Sequence, residues 1–258
     1  MPNGTPKALA PQRQDKLRAM IRDSGVIRVE NLSDRLQVSL ATVRRDLDQL
    51  ERNGAIRRVH GGAVSVEGRL DEPVFEDKSA RAVREKRRIA EAALAFVEEG
   101  DTIYLDGGST VLELARLLRE RTSLTVVTNS LHAAQALAGR GPRLIMIGGE
   151  LRRLSQTFVG PLTRLILEDL HVDKAFMGTI GFAPKEGLTT TDPSEAFTKE
   201  IIMGRARKVI VLADSSKAGK VAFACAGRWD NVDVLITEQK ITFAKALMQK
   251  GVKVVRAQ

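Results

Sequence analysis

The chain has 258 residues, of which 43% are hydrophobic and 28% charged, so it can bury the cores of one large and one small domain. No stretch approaches the roughly 18 consecutive apolar residues of a membrane-spanning helix, and the N-terminus lacks the apolar block of a secretion signal. We therefore expect a cytoplasmic protein with no membrane partner. The single cysteine, Cys225, excludes an internal disulfide, and three histidines give no cluster of metal ligands, so we expect no metal and no other cofactor.

Positive charge is concentrated at the N-terminal end. The net charge is +9, and residues 1–70 hold thirteen Lys and Arg against eight Asp and Glu. A polyanionic partner such as DNA would explain this distribution, although a charge excess alone is commonly just a solvated surface.

Three short helices are predicted in this segment. The first begins near Pro11 and ends at Ser24-Gly25, and the second spans about Val29 to Leu36. After a brief turn, Ser39 is suited to cap the third helix, because its hydroxyl can accept a hydrogen bond from an unpaired helix amide.

The third helix has an apolar stripe and a polar face. Leu40, Val43, Leu47 and Leu50 form the stripe, which would pack on the first two helices. The polar face begins with small residues, which allow close approach to a groove, and continues with two arginines that can pair with guanine or phosphate. We expect DNA contacts from Ser39, Ala41, Thr42, Arg44, Arg45 and Gln49.

Two short strands, Ala55 to Val59 and Ala63 to Val66, are predicted to follow as a hairpin. Arg57 and Arg58 would make it a basic wing that contacts the flanking phosphates. Asp46 is interpreted differently, because a carboxylate repels phosphate. We expect it to orient an arginine or another helix.

Three stretches of this segment resemble the signature of the DeoR family of bacterial regulators. They are Arg13-x3-Leu17-x3-Ile21, Ser39-x2-Thr42-Val43-Arg44-Arg45-Asp46-Leu47 and His60-Gly61-Gly62-Ala63. The resemblance implies a winged helix-turn-helix over residues 10–66, with the helix-turn-helix itself from about Val26 to Arg45. A small helical domain that uses a basic face for protein contacts is the alternative.

Residues 67–80 are predicted to be a linker, because the run from Gly68 to Pro73 breaks helical and strand periodicity. A charged helix follows, with the mixed signs typical of an exposed face. The second domain is expected over residues 81–258.

Seven short apolar runs alternate with helical patterns in this second domain. The pattern predicts an α/β domain, with a mainly parallel sheet covered by helices on both faces. The runs are Thr102–Leu105, Leu124–Val127, Leu144–Ile147, Lys174–Met177, Val209–Leu212, Val232–Ile236 and Val252–Val255. In such sheets, ligands bind beyond the carboxyl ends of the strands.

Polar residues and glycines follow several of these strands. The run Asp106-Gly107-Gly108-Ser109-Thr110 leads into a helix, where glycines let amides approach an anion and hydroxyls add donors. The other candidates are Thr128, Asn129, Ser130, Gly148, Gly149, Lys199, Asp214 and Lys217. Together they would suit a phosphorylated sugar or polyol, with lysine near the phosphate and Asp106 or Asp214 accepting from hydroxyls. A single glycine-rich turn is often only a tight connection.

These motifs also resemble the effector domain of the DeoR family, which is similar in fold to ribose-5-phosphate isomerase. The resemblance implies a sequence-specific DNA-binding regulator of transcription. We expect a repressor of a carbohydrate or polyol catabolic operon that a phosphorylated sugar or polyol effector releases from double-stranded operator DNA. We further expect it to act as a homodimer or homotetramer.

An aldose-ketose isomerase is the main alternative, and it would need a carboxylate base beside the sugar chain. In the isomerases this base comes with an Asp-Gly-Ala-Asp-Glu string after a central strand. The comparable stretch here, Met177-Gly178-Thr179-Ile180-Gly181, contains no acid, so we predict no enzymatic activity. Residual catalysis by Asp106 stays an alternative, as do an architectural DNA-binding protein and an activator.

Overall fold

The computed structural model describes residues 10–24, 26–52, 56–59, 62–65, 72–139 and 141–258. The chain divides into two compact units, residues 1–71 and 72–258. Among the described helices, none has the length and apolarity needed to cross a lipid bilayer.

The N-terminal unit is a small helical domain with a three-stranded sheet. Its elements are α1 (Ala10–Ser24), β1 (Val26–Arg28), α2 (Val29–Leu36), α3 (Leu40–Arg52), β2 (Ile56–Val59) and β3 (Gly62–Ser65). Strand β3 pairs antiparallel with both β1 and β2. The three predicted helices are confirmed, and the apolar stretch after α1 pairs as a strand.

The core of this unit forms where the apolar stripes of the three helices meet. Leu17 and Ile21 of α1, Leu32 of α2, and Val43 and Leu47 of α3 are all fully buried. The apolar stripe predicted for α3 needs one correction: Leu40 is 40% exposed, because it lies in the first turn, outside the packed face.

The second unit is an α/β domain built on a seven-stranded sheet. The sheet strands are β4 (Thr102–Leu105), β5 (Thr125–Thr128), β6 (Arg143–Met146), β9 (Val172–Met177), β12 (Ala206–Leu212), β14 (Val234–Thr237) and β15 (Lys253–Arg256). The helices are α4 (Phe75–Ala80), α5 (Val83–Leu94), α6 (Ser109–Leu117), α7 (Leu131–Leu137), α8 (Pro161–Leu167), α9 (Pro193–Met203) and α10 (Ala244–Gln249). All seven predicted strands are confirmed, with small shifts at their ends.

Every strand pair in this sheet is parallel, in the order β15-β14-β12-β9-β4-β5-β6. Each face of the sheet has its own hydrophobic core. Ile103 and Leu105 of β4 point into one core, and Tyr104 points into the other, as the two-residue repeat of a strand requires. The winding reverses between β4 and β9, the position where parallel α/β sheets bind their ligands.

Five short strands were not predicted. They form the hairpin of β7 (Glu150–Arg152) with β8 (Thr157–Val159), and a three-stranded antiparallel sheet of β10 (Gly181–Ala183), β11 (Gly187–Thr190) and β13 (Ala224–Gly227). The hairpin and the three-stranded sheet both lie in segments that connect strands of the main sheet. The hairpin contributes Arg152 and Ser155 to the site described below.

The predicted linker of residues 67–80 also differs from the structure. Residues 66–71 lie outside the described residues, and residues 72–80 belong to the second unit, where 75–80 form α4. Phe75 is buried in the core and stacks on His132, with 4.0 Å between ring centroids. Phe75 therefore anchors in the core a segment whose sequence is otherwise mostly polar and aperiodic.

Candidate functional site

The exposed face of α3 carries the residues predicted to contact DNA. Ser39 caps the helix, since its Oγ accepts from the Thr42 amide at 3.3 Å and lies 2.9 Å from the Thr42 hydroxyl. Thr42 is half-buried, and Ser39, Ala41, Arg44, Arg45 and Gln49 are exposed. Their side chains thus lie on one accessible surface opposite the core.

Asp46 is the exception on this helix, because it is 4% exposed. The Arg13 guanidinium donates to both of its oxygens, from Nε at 2.5 Å and from Nη2 at 3.2 Å. The expectation that Asp46 orients an arginine is confirmed. Its charge is used to join α3 to α1 and does not face the exposed surface.

The predicted wing is a two-stranded hairpin. Arg57 lies opposite Val64 and Arg58 opposite Ala63 in the pairing of β2 with β3. Of the predicted strands 55–59 and 63–66, the described residues 56–59 and 63–65 are in strands, and the second strand also includes Gly62. His60 and Gly61, at the predicted turn, lie outside the described residues.

In the second unit a cleft opens between the carboxyl ends of β4 and β9. The space between its walls that no protein atom fills is about 400 Å³, and this space includes open solvent. Its lining residues are Lys78, Gly107, Gly108, Ser109, Thr110, Ser155, Gly178, Thr179, Ile180, Glu195, Lys199 and Lys217. The cleft therefore lies at the reversal of strand order and brings together six of the predicted effector residues: Gly107, Gly108, Ser109, Thr110, Lys199 and Lys217.

One wall of the cleft is the N-terminus of α6. Gly108 adopts a φ of +137°, and a Cβ on Gly107 would lie 2.1 Å from the Thr157 methyl group, so neither position accommodates a side chain. The first amides of a helix have no partner within the helix. Thr110 is 2% exposed, and within the described part of the chain its Oγ1 has no hydrogen-bond partner. This wall therefore presents hydrogen-bond donors to a ligand, namely the first amides of the helix and the Thr110 hydroxyl.

A buried ion cluster forms the floor of the cleft. The Lys199 ammonium contacts Asp106 Oδ2, and it lies 3.5 Å from Glu195 Oε1. The amide of Gly178 donates to the same Asp106 oxygen at 2.8 Å, which ties β4 to β9. Burial alone would lower the pKa of Lys199, but the charges of Asp106 and Glu195 outweigh it and raise this pKa. Lys199 therefore stays charged.

Burial raises the pKa of Glu195, and the nearby charges of Glu72 and Asp106 add to this effect, while Lys199 and Arg152 oppose it. Asp106 pairs with Lys199, and Glu195 lies near both Lys199 and Arg152, so both carboxylates at the floor face cations. This pairing differs from a general base, which must face the substrate with a free oxygen.

Lys217 is the least compensated cation of the cleft. Its nearest carboxylate oxygen, Asp214 Oδ2, is 3.8 Å from the ammonium nitrogen. Burial lowers the pKa of Lys217 to about 8, and repulsion by Lys86, Lys78 and Lys199 contributes, while Asp214 opposes the shift. A bound anion would supply the close counter-charge that this ammonium lacks.

Lys217 is positioned by the turn that follows β12. Asp214 accepts from the Ser216 amide at 3.2 Å. Glu238, at the end of β14, accepts from the Ser215 amide at 3.0 Å and from its hydroxyl at 2.5 Å. Asp214 therefore supports the lysine without lining the cleft, and Asp106 acts in the same way through Lys199.

Besides Asp106 and Asp214, five predicted effector residues do not line the cleft in the described structure. Thr128 donates to the Leu105 carbonyl at 2.6 Å, Asn129 donates to the Phe158 carbonyl at 2.8 Å, and Ser130 caps α7. These three residues join β5 to its neighbours. Gly148 and Gly149 form a turn after the edge strand β6, where a Cβ on Gly149 would lie 2.3 Å from the Thr163 hydroxyl.

Sequence reasoning missed a charged network beside the cleft. The buried Glu72 carboxylate pairs with Lys78 at 2.6 Å and with Arg152 at 2.7 Å, and the Thr191 hydroxyl donates to it. Arg152 also lies 3.2 Å from Glu195 Oε2 and 3.4 Å from Asp192 Oδ2. Burial would raise the pKa of Glu72, but Lys78 and Arg152 outweigh it and lower this pKa to about 2.

Family models match both units of the chain. The model described as the DeoR-like helix-turn-helix domain matches residues 13–69, and the model described as the DeoR C terminal sensor domain matches residues 81–239. The solved structure of D-ribose-5-phosphate isomerase in complex with phospho-erythronic acid is 22% identical, with a TM-score of 0.40 over 53% of this chain and 54% of that one.

Several relatives match along most of their length. The lactose phosphotransferase system repressor of Streptococcus mutans is 38% identical over 88% of this chain and 91% of its own. The transcriptional repressor AccR of Agrobacterium fabrum is 36% identical over 88% of both chains. A putative aga operon transcriptional repressor of Escherichia coli is 33% identical over 94% of this chain and 93% of its own. This chain therefore belongs to the DeoR family, whose members are DNA-binding transcriptional regulators and not enzymes.

Proposed function

We propose that this protein represses a carbohydrate or polyol catabolic operon and leaves its operator when a phosphorylated sugar or polyol binds the cleft of the second unit. The repressors among its relatives support the first half of this proposal, since their names refer to a lactose phosphotransferase system and to an aga operon. The cleft supports the second half.

One observation carries the effector proposal: the donors around the cleft exceed its acceptors. The N-terminus of α6 offers amides and the hydroxyl of Thr110, which has no partner among the described residues, and Lys217 lines the same cleft. A phosphate group has three strongly accepting oxygens and up to two negative charges, so it fits this set of donors. The polyol end of the ligand would meet Ser155 and Thr179, which line the same cleft.

The DNA-binding proposal rests on α3 and the wing. Arg44 and Arg45 are exposed on a helix whose opposite face is buried, as a recognition helix in the major groove requires. Paired half-sites on an operator need two such helices, so we propose a homodimer or homotetramer.

Release follows if the effector binds two arrangements of the oligomer with different affinities. A ligand shifts an equilibrium only by its difference in affinity for the two states. By the same linkage, operator DNA must weaken effector binding by the factor by which effector weakens operator binding.

Replacing Arg44 with alanine tests the division of labour between the two units. We expect Arg44→Ala to weaken operator binding by about 1–3 kcal/mol, because a guanidinium at the groove is lost. Thermal stabilisation by a panel of sugar phosphates should be unchanged. The measurements are footprinting at fixed salt concentration and a melting-temperature screen.

Arg121→Ala is the matched control, since Arg121 is an exposed arginine of the second unit. It should leave the footprint as in the wild type. An Arg44→Ala footprint equal to that of the wild type would place the recognition surface elsewhere. DNA binding without response to any sugar phosphate would favour the architectural role over the sensor.

A further inference from the structure

Of the residues that line the cleft, Lys78 is the nearest in sequence to the DNA-binding unit. It lies on α4, and Glu72, its partner, is the first described residue after the segment 66–71 that joins the two units along the chain. The Lys78 ammonium lies 2.6 Å from Glu72 Oε1, and this carboxylate is 1% exposed. The cation therefore faces the cleft on one side and a buried carboxylate on the other.

We propose that Lys78 is a ligand of the anionic group in the cleft, and that the anion competes with Glu72 for the Lys78 ammonium. This inference rests on the proposed function, because it concerns the same cleft and the same anion. It adds a binding residue from α4 and a carboxylate that opposes binding.

The network around Glu72 makes the exchange feasible. Its second oxygen, Oε2, accepts from Arg152 Nη2 at 2.7 Å and from the Thr191 hydroxyl. Glu72 would therefore remain paired and hydrogen-bonded after Lys78 turned to the anion. If a buried carboxylate lost all its partners, its charge would be uncompensated and the folded protein would be strongly destabilised.

The backbone of α4 is held in place independently of the Lys78 side chain. The buried Lys86 ammonium donates to the Lys78 carbonyl and, at 2.5 Å, to the Arg81 carbonyl. These bonds satisfy carbonyls at the end of α4, where a helix has no partners of its own. The part of Lys78 free to exchange partners is thus its long side chain.

Electrostatic repulsion within the cleft favours the exchange. Lys78, Lys199 and Lys217 line one cleft, and Lys78 and Lys199 both contribute to the lowered pKa of Lys217. An anion between Lys78 and Lys217 would replace this repulsion by two attractive pairs. Its binding would act first on Glu72, the first residue of the second unit.

A double-mutant cycle on the full chain tests the competition, with inorganic phosphate as the probe in titration calorimetry at pH 7. We expect Lys78→Met to weaken phosphate binding about tenfold, because a charge-assisted hydrogen bond is lost. Glu72→Gln should strengthen binding by roughly threefold to tenfold, since glutamine keeps the acceptor for Arg152 and frees the ammonium. The double variant should bind like Lys78→Met, because the gain depends on Lys78.

Further variants separate this inference from the proposed function. Lys245→Met, at an exposed lysine of α10, should bind phosphate like the wild type, and melting curves confirm that each variant folds. Loss of binding in Lys217→Met with wild-type binding in Lys78→Met would overturn the role of Lys78 and leave the effector cleft intact. A gain from Glu72→Gln that persists in the double variant would overturn the competition. Absence of phosphate binding in the wild type would overturn both proposals.

Discussion

Asp106→Ala should lower the free energy of unfolding by about 3–5 kcal/mol, because it leaves a buried ammonium without its closest counter-charge. Lys199 is 4% exposed, and after the change it would keep only the Glu195 carboxylate at 3.5 Å and the Gly178 carbonyl at 3.2 Å. The Gly178 amide would also lose its acceptor. Chemical denaturation of the full chain, with the transition of the second unit followed separately, measures the loss.

Two variants calibrate this result. Asp106→Asn keeps an acceptor for the Gly178 amide and should cost less than alanine. Glu168→Ala removes an exposed carboxylate of the Arg164–Glu168 pair at the C-terminal end of α8, whose side chains are 51% and 38% exposed, and should cost about 0.5 kcal/mol or less. A loss for Asp106→Ala as small as that for Glu168→Ala would show that the cluster does not hold β4 to β9.

Lys217→Met should have opposite effects on stability and on effector binding. At pH 7 the folded protein bears the cost of a partly buried, weakly paired ammonium, so removing the charge should stabilise it by about 1–3 kcal/mol. The same change should weaken phosphate binding by about tenfold or more, since Lys217 is the cation with the least compensation in the cleft. Denaturation curves and calorimetry with inorganic phosphate give the two quantities.

The pH dependence of stability and of phosphate affinity tests whether Lys217 is the cation that binds phosphate. The pKa of Lys217 is about 8 in the folded chain and 10.5 in the unfolded one, so between these values the unfolded state binds more protons and wild-type stability should rise with pH. Phosphate affinity should fall over the same range, because the binding cation is lost. Lys217→Arg, which stays charged, should remove the alkaline fall in affinity. A wild-type affinity that is constant from pH 7 to pH 10 would contradict the role of Lys217.

The main sheet could be predicted from the sequence because parallel strands buried on both faces consist of continuous apolar runs. Each such run, including Thr102–Leu105 and Val209–Leu212, became a strand of the sheet. The order of the strands has no comparable local signal. For this reason Gly148-Gly149 was grouped with the candidate site, although β6 is the edge strand, two positions away from β4.

The sequence predicts the part of the cleft whose donors are adjacent in the chain. It does not predict the part that is formed by residues far apart in the chain. The Gly107-Gly108-Ser109-Thr110 run has its chemistry in four consecutive positions. Glu72 and Thr191 are separated by 119 positions and contact each other only through the fold. The sequence predicts a linker at Lys78, because one buried aromatic residue, Phe75, is too little apolar sequence to predict a packed helix.

Reciprocal titration of operator DNA and effector tests the central claim most directly. The effector used is the sugar phosphate that most raises the melting temperature of the full chain. At fixed salt concentration, we expect it to weaken operator binding by about 5-fold to 150-fold, and operator DNA to weaken its binding by the same factor. An operator affinity that is the same with and without saturating sugar phosphate would contradict the account.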